Sequence, residues 1–253
     1  MTQFKIVVKW IGFAAVFVAL FAFTLIANQK RSKEVVNRVI VEFSDQKVDF
    51  ITEDDILRLF PNADSSNFGM TSQVELQNIE NELMKNSYVD NCQAFINNSE
   101  QLTIKVRQKE PLFRVIHQNG VSYYVDKSGE KFPVSARFTS NVPIATGRIV
   151  YQVDSLGVQR GQAVNDLMTF FEFVSKDEVL QSLVTRVDVR PSGDLVFTPR
   201  TGKHIVNIGK PVNLKDKFHR LIIFYQEALN KIGWDEYQEV SVKFENQIIA
   251  KKK

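Results

Sequence analysis

The sequence predicts an α+β protein: one membrane-length apolar helix, a compact unit ordered strand–helix–helix–strand–strand, and a larger β-rich unit with two helices. Three observations predict it. An uncharged apolar run starts at Trp10; two helix starts and period-2 alternation share the segment from Val36 to Arg107; short strands separated by Gly, Pro, Asn and Asp turns fill the remainder.

Composition sets the outer bounds. Lys and Arg number 32 against 29 Asp and Glu, a formal charge of +3. Nucleic-acid binders concentrate a larger basic excess, so that class gains no support. Gly 11 and Pro 7 in 253 residues exclude collagen-like and low-complexity material. A lone cysteine, Cys92, excludes an intramolecular disulfide framework and a cysteine-built zinc site.

The run WIGFAAVFVALFAFTLIA, Trp10 to Ala27, has no charge, and Thr24 is its one clearly polar side chain. At about 1.5 Å per residue it spans roughly 27 Å, close to the ~30 Å hydrocarbon core. A cleaved signal would have a shorter apolar region and a small-x-small site, which Leu25 before Ala27 fits poorly. A buried soluble helix would keep a polar face. The run therefore reads as an uncleaved anchor with Trp10, Phe13, Phe17, Leu20, Phe21 and Leu25 along it. Lys5 and Lys9 flank one end and Lys30, Arg31 and Lys33 the other, so charge alone does not orient it.

The next segment begins with a half-buried strand, where Val39, Val41 and Phe43 alternate with Ile40 and Glu42. ITEDDILRLFP is a complete short helix. Thr52 is the N-cap with Asp55 three residues on, Ile51 and Ile56 form a staple, and Pro61 ends it. Ser72 with Glu75 starts a second helix, whose apolar face is Leu76, Ile79 and Leu83. Two strands close the unit around the turn Asn97-Asn98-Ser99-Glu100: Cys92, Ala94 and Ile96 share one face, and Leu102, Ile104 and Val106 another. Cys92 reads as a small buried hydrophobe.

After Pro111 the strands shorten. LFRVIH and VSYYVD flank the hairpin signal His117-Gln118-Asn119-Gly120, and Asp126-Lys127-Ser128-Gly129 precedes a strand at Phe132. Further strands are expected over Thr185–Arg190, Asp194–Thr198 and His204–Ile208, with one last strand over Glu239–Ala250. One helix covers Val164–Ser175 with Leu167, Phe170, Phe171 and Val174 inward. The other starts at the N-cap Asn213 and carries Leu214, Phe218, Leu221, Ile222, Tyr225 and Leu229.

Catalytic motifs are missing from the sequence. His117, His204 and His219 lie far apart, no H-E-x-x-H or G-x-S-x-G occurs, and both Gly-Lys pairs lack the upstream glycine of a P-loop. Glu53-Asp54-Asp55 reads as carboxylates at a positive helix end rather than a metal cluster. Phe170, Phe171 and Phe173 read as core rather than a ligand box. The terminal Lys251-Lys252-Lys253 reads as a solvated end. A membrane-tethered hydrolase would need a site assembled from distant residues.

ITEDDILRLF, IENELMKNSYVDNCQAF and LTIKVRQKEPLFRV, in this order behind an anchor, resemble the POTRA domain of the bacterial cell-division FtsQ/DivIB family. Ser87 stands where proline is frequent, while Tyr88-Val89 and Glu110-Pro111 occupy matching places. YYVDKSGEKFP, VPIATG and VSVKFENQIIA resemble successive segments of that family's β domain, so the likeness covers nearly the whole chain.

The resemblance implies a division of the chain into a cytoplasmic tail (1–9), transmembrane helix (10–28), linker (29–34), POTRA domain (35–109) and β domain (110–253). It implies a single-pass inner-membrane protein of the division septum, with the N-terminus cytoplasmic and both folded domains periplasmic. It also implies a scaffold without catalysis, cofactor or metal. The implied partners are FtsB and FtsL, and through them FtsW/FtsI-type septal peptidoglycan synthases. Carried onto this chain, the partner surface would comprise Phe244, Asn246, Gln247 and Ile248, with Tyr225 and Gln226 on the preceding helix. Strand addition suits such a surface, main-chain groups supplying affinity and alternate side chains specificity. The competing expectation keeps the POTRA unit and makes it a dock for client polypeptides in envelope protein assembly or secretion.

Overall fold

The computed structural model describes residues 18, 20–22, 36, 38–44, 47–59, 76–97, 101–150 and 161–253. The chain divides into two units, Met1–Gln108 and Lys109–Lys253. Val18, Leu20, Phe21 and Ala22 are helical, with Leu20 and Phe21 exposed. Trp10, Phe13, Phe17 and Leu25 of the expected anchor lie outside the described residues. Among the described residues no helix is long and apolar enough to cross a membrane.

The first unit runs β1 (Arg38–Phe43), α1 (Glu53–Leu57), α2 (Leu76–Met84), β2 (Val89–Ile96) and β3 (Gln101–Gln108). Its sheet order is β1-β3-β2, with β1 parallel and β2 antiparallel to β3. Leu102, Ile104 and Val106 project from the central strand into a core with Ile56, Ile79, Leu83, Cys92 and Ala94. The start of α1 is stapled as the spacing predicts: Ile51 and Ile56 are buried, and Asp55 Oδ2 accepts from both Thr52 N and Thr52 Oγ1 at 2.9 Å. Pro61, the Ser72–Glu75 helix start and Asn98–Glu100 lie outside the described residues. Cys92 is free and buried, and burial, with the nearby Glu80 charge, pushes its thiol up, which lowers its thiolate fraction.

A buried amide closes this unit. Gln108 Oε1 accepts from Phe50 N at 2.9 Å and Ile51 N at 3.1 Å, while its Nε2 donates to Ile51 O at 3.1 Å. One side chain at the end of β3 thus satisfies main-chain groups of the loop that enters α1.

The second unit holds β4 (Pro111–Ile116), β5 (Ser122–Asp126), β6 (Lys131–Pro133), β7 (Ile144–Gly147), α3 (Gln162–Val174), α4 (Glu178–Leu183), β8 (Arg186–Val189), β9 (Leu195–Phe197) and β10 (Ile205–Gly209). Then come α5 (Leu214–Phe224), a π-helical turn (Tyr225–Leu229), α6 (Asn230–Ile232), β11 (Tyr237–Ser241) and β12 (Ile249–Lys252). They form a nine-stranded sheet, ordered β12-β11-β10-β9-β8-β7-β4-β5-β6. Both helical stretches serve parallel neighbours: β7 pairs parallel with β8 across α3 and α4, and β10 with β11 across α5. A parallel pair needs a long crossover, which these two make with helices and the parallel pair β4–β7 makes through β5 and β6. Phe170 packs against Phe171, Phe197 and Phe218 at ring separations of 5.6, 6.4 and 5.9 Å, so this phenylalanine group is core.

Four departures from the expected elements have local causes. The last strand is two strands, β11 and β12, paired antiparallel; Asn246, in the left-handed region at φ 56, sits in the turn between them. Besides the two expected helices there is α4, whose six residues are under two turns and too few for a repeated apolar face. Asp177 caps it, Oδ1 accepting from Val179 N at 2.8 Å and Leu180 N at 3.1 Å. Asn213 precedes α5 at φ 52 with no side-chain cap, so its part is conformational. VPIATG contains β7, whose final Gly147 is at φ 93; a Cβ there would meet Val189 O at 2.3 Å.

Candidate functional site

Among the described strands β12 has one neighbour, β11. Its register runs Ser241–Ile249, Val240–Ala250, Glu239–Lys251 and Tyr237–Lys252. Its outer main-chain groups have no strand partner among the described residues, which is the physical condition for accepting another strand. Ile249 is 49% exposed and Phe244 46%, while Ile248 and Ala250 pack against the core and pin the strand from below. The edge thus combines an anchored face with an open one.

The turn leading into β12 is held by charge. Lys243 Nζ donates to Asp194 Oδ2 at 2.8 Å and lies 5.9 Å from the Phe244 ring centroid. Burial raises the Asp194 carboxyl, but the hydrogen bonds from Lys243 and Ser192 outweigh it and leave it below the ordinary range. Arg220 Nη1 donates to the carbonyls of Phe244 (3.0 Å) and Gln247, and its Nη2 to that of Val242 (3.4 Å). Its Nε donates to Asp216 at 2.9 Å. One turn earlier on α5, buried Lys217 donates to Ile208 O at 2.9 Å and Lys210 O at 2.8 Å, and burial lowers its pKa.

Four of the sequence-derived partner residues fall together here. Phe244, Asn246 and Gln247 are exposed on the turn, and Ile248 is half-buried at the entry to β12. Tyr225 is placed differently. It is buried in the π-helical turn, its hydroxyl 3.0 Å from His204 Nε2 and its ring 5.0 Å from Trp234, so it supports the core. Gln226, the next residue, is exposed. Arg220, Lys243, Asp194 and Ile249 were not anticipated. Arg220 reads locally as an ordinary i,i+4 partner of Asp216, and nothing nearby in sequence signals carbonyls more than twenty residues on.

The second unit also carries concave features away from the β12 residues. A groove of about 650 Å³ among α3, α4 and α5 is lined by Phe173, Leu180, Phe218, Ile222 and His219. A more polar hollow of about 490 Å³ contains His117, Asn119, Arg148 and Asp188. His117 Nε2 is 3.2 Å from the Tyr123 hydroxyl, while Asp188 accepts from Thr146 Oγ1 at 2.9 Å. These are separate pairs, and no described hydrogen bond joins one to the other. Among the described residues no group of three His, Cys, Asp or Glu side chains is placed to hold a metal ion.

Comparison with known proteins assigns both units. Residues 110–251, more than half of the chain, match the family described as FtsQ/DivIB, C-terminal related. Residues 34–107 match the POTRA-like domain. No curated relative matches the chain.

Proposed function

Because the chain belongs to the FtsQ/DivIB family and carries a POTRA-like domain, we propose that it is a non-catalytic division-site scaffold. In this reading it links early and late division proteins and recruits FtsB and FtsL, and through them the FtsW/FtsI-type septal peptidoglycan synthases. The apolar run over residues 10–28 anchors it in the inner membrane with the N-terminus cytoplasmic, and both folded units work in the periplasm at the septum.

The observation that carries the reading is the β12 edge: a terminal strand with one described neighbour, anchored by Ile248 and Ala250, presenting Ile249 and Phe244 to solvent. An extended partner segment would add a tenth strand, its main chain pairing with β12 and its alternate side chains reaching Phe244 and Ile249. Gln226 is within the same sequence region but carries no described contact to the edge.

The test is co-purification from membranes, comparing the full chain with a truncation after Val240. Loss of FtsB and FtsL from the truncated sample is expected. Unchanged recovery of both would sink the edge reading. Depletion of the protein should give cells blocked in septation, whereas normal division with loss of outer-membrane proteins would instead favour client docking by the POTRA unit.

A further inference from the structure

We propose that Arg220 is a positioning residue for partner recognition: its guanidinium gathers the carbonyls of Val242, Phe244 and Gln247 and holds the β11–β12 turn in the shape that presents the β12 edge. The inference rests on the edge reading above and adds the device that sets the edge's geometry.

Three features carry it. First, the three carbonyls belong to the turn itself, on both sides of Asn246, so one planar group spans the whole bend. A planar fork with five N–H donors can hold several acceptors at once, which a point cation on a flexible stem does not do as well. Second, the fork is oriented. Asp216, one turn back on α5, accepts from Nε at 2.9 Å, and the Arg220 side chain is only 15% exposed. Third, the turn is gripped from its other side. Val242 N donates to Asn207 O at 2.9 Å, so Val242 is fixed between β10 and α5.

The consequence concerns ordering. A four-residue strand paired on one side is a marginal element, and its turn adopts a left-handed residue at Asn246. Without a clamp, the turn and β12 would be ordered only as a partner arrives, and that ordering would weaken binding. With Arg220 in place the edge is formed beforehand. α5 therefore does more than cover the sheet: its inner cations, Lys217 and Arg220, tie the end of β10 and the β11–β12 turn to one helix.

The test uses the full chain in detergent micelles as wild type, Arg220→Gln and Arg220→Lys. Backbone hydrogen exchange is followed region by region, and the same preparations are assayed for recovery of FtsB and FtsL. In Arg220→Gln, exchange over residues 244–252 should quicken by about tenfold while β8 to β10 stay protected, and partner affinity should fall by about tenfold. Arg220→Lys keeps the ion pair with Asp216 without the three-carbonyl grip, so intermediate values on both readouts are expected.

Unchanged exchange in Arg220→Gln overturns the positioning role whatever the recovery. Faster exchange with undiminished recovery overturns it too, and leaves the edge reading standing if the truncation after Val240 still abolishes recovery. If the Gln variant loses protection throughout the second unit, Asp216→Asn is the second probe. It keeps the guanidinium but frees the fork, and should quicken exchange over residues 244–252 alone; no change there counts against the proposal.

Discussion

Arg190 and Glu239, 49 positions apart, meet as a two-pronged pair: Nη1 to Oε1 at 3.2 Å and Nη2 to Oε2 at 2.9 Å. Arg190 follows β8 and Glu239 lies in β11, so the pair ties together strands separated in the sheet by β9 and β10. Asn207 on β10 donates to the same carboxylate at 3.3 Å. The Arg190 hydrogen bond is the main cause holding the Glu239 carboxyl below its ordinary value of 4.5.

The sign of the pH effect follows. Because the folded state favours charged Glu239, its contribution is present above pH 4.5 and is lost as pH falls through the lowered folded value. Glu239→Gln should lower stability at pH 7 by about 1 kcal/mol, the pair being partly solvated. Urea titrations should show the gap between wild type and variant narrowing as pH falls below 4.5 through the lowered folded value. A gap of constant size down to the acid limit of folding would contradict this.

His204 gives the opposite end of the scale. It is 0% exposed, with its Nε2 bonded to the Tyr225 hydroxyl. Burial lowers its pKa below 6.5, with Asp235 and the Trp234 main chain pulling weakly the other way. The folded chain therefore keeps it neutral while the unfolded chain takes up a proton. Its contribution is complete above pH 6.5 and declines as pH falls from there through the folded value. The urea midpoint of the wild type should drop between pH 7.5 and 5.5, and drop less in His204→Asn. Equal drops would remove His204 as the cause.

Asn246 separates turn geometry from side-chain contact. At φ 56, glycine fits without strain, whereas a β-branched residue is disfavoured. Asn246→Gly should leave stability within about 0.5 kcal/mol, and Asn246→Val should cost about 1–2 kcal/mol. If Asn246→Gly alone abolishes recovery of FtsB, the asparagine side chain is itself a contact; retained recovery assigns it to the turn.

Gln108 is the corresponding probe of the first unit. Gln108→Ala deletes three hydrogen bonds to Phe50 and Ile51 in a buried position. A loss of about 2–4 kcal/mol in the unfolding free energy of this unit is expected. A loss under about 0.5 kcal/mol would mean that water replaces the amide.

How much of this could be read from the chain depends on range. The α1 start is legible because Thr52, Asp55, Ile51 and Ile56 act within one turn of each other. The phenylalanines of α3 are legible because helical period puts Phe170, Phe171 and Val174 on one face. The break at Asn246 is not: VSVKFENQIIA alternates like one long strand, and its single left-handed residue has no glycine to announce it. α4 is missed because six residues, under two turns, are too few to repeat an apolar face. Tyr225 falls at helical spacing with Leu221 and Leu229, so the sequence places it on the helix but says nothing of the buried His204 that consumes its hydroxyl.

The sequence by itself determined the kind of protein: an apolar run, a strand–helix–helix–strand–strand unit, a strand-rich unit, and motifs shared with one family. These depend on periodicity and local capping, which act over a few residues. Tertiary structure alone decided the order of nine strands, the parallel crossovers through α3, α4 and α5, and the end position of β12. It alone brought Arg220 to carbonyls of a turn more than twenty residues away, and Arg190 to Glu239. Strand order and the Arg220 grip rest on main-chain groups that are the same at every position, and the Arg190–Glu239 pair follows from that strand order, so no local side-chain pattern records which of them will meet.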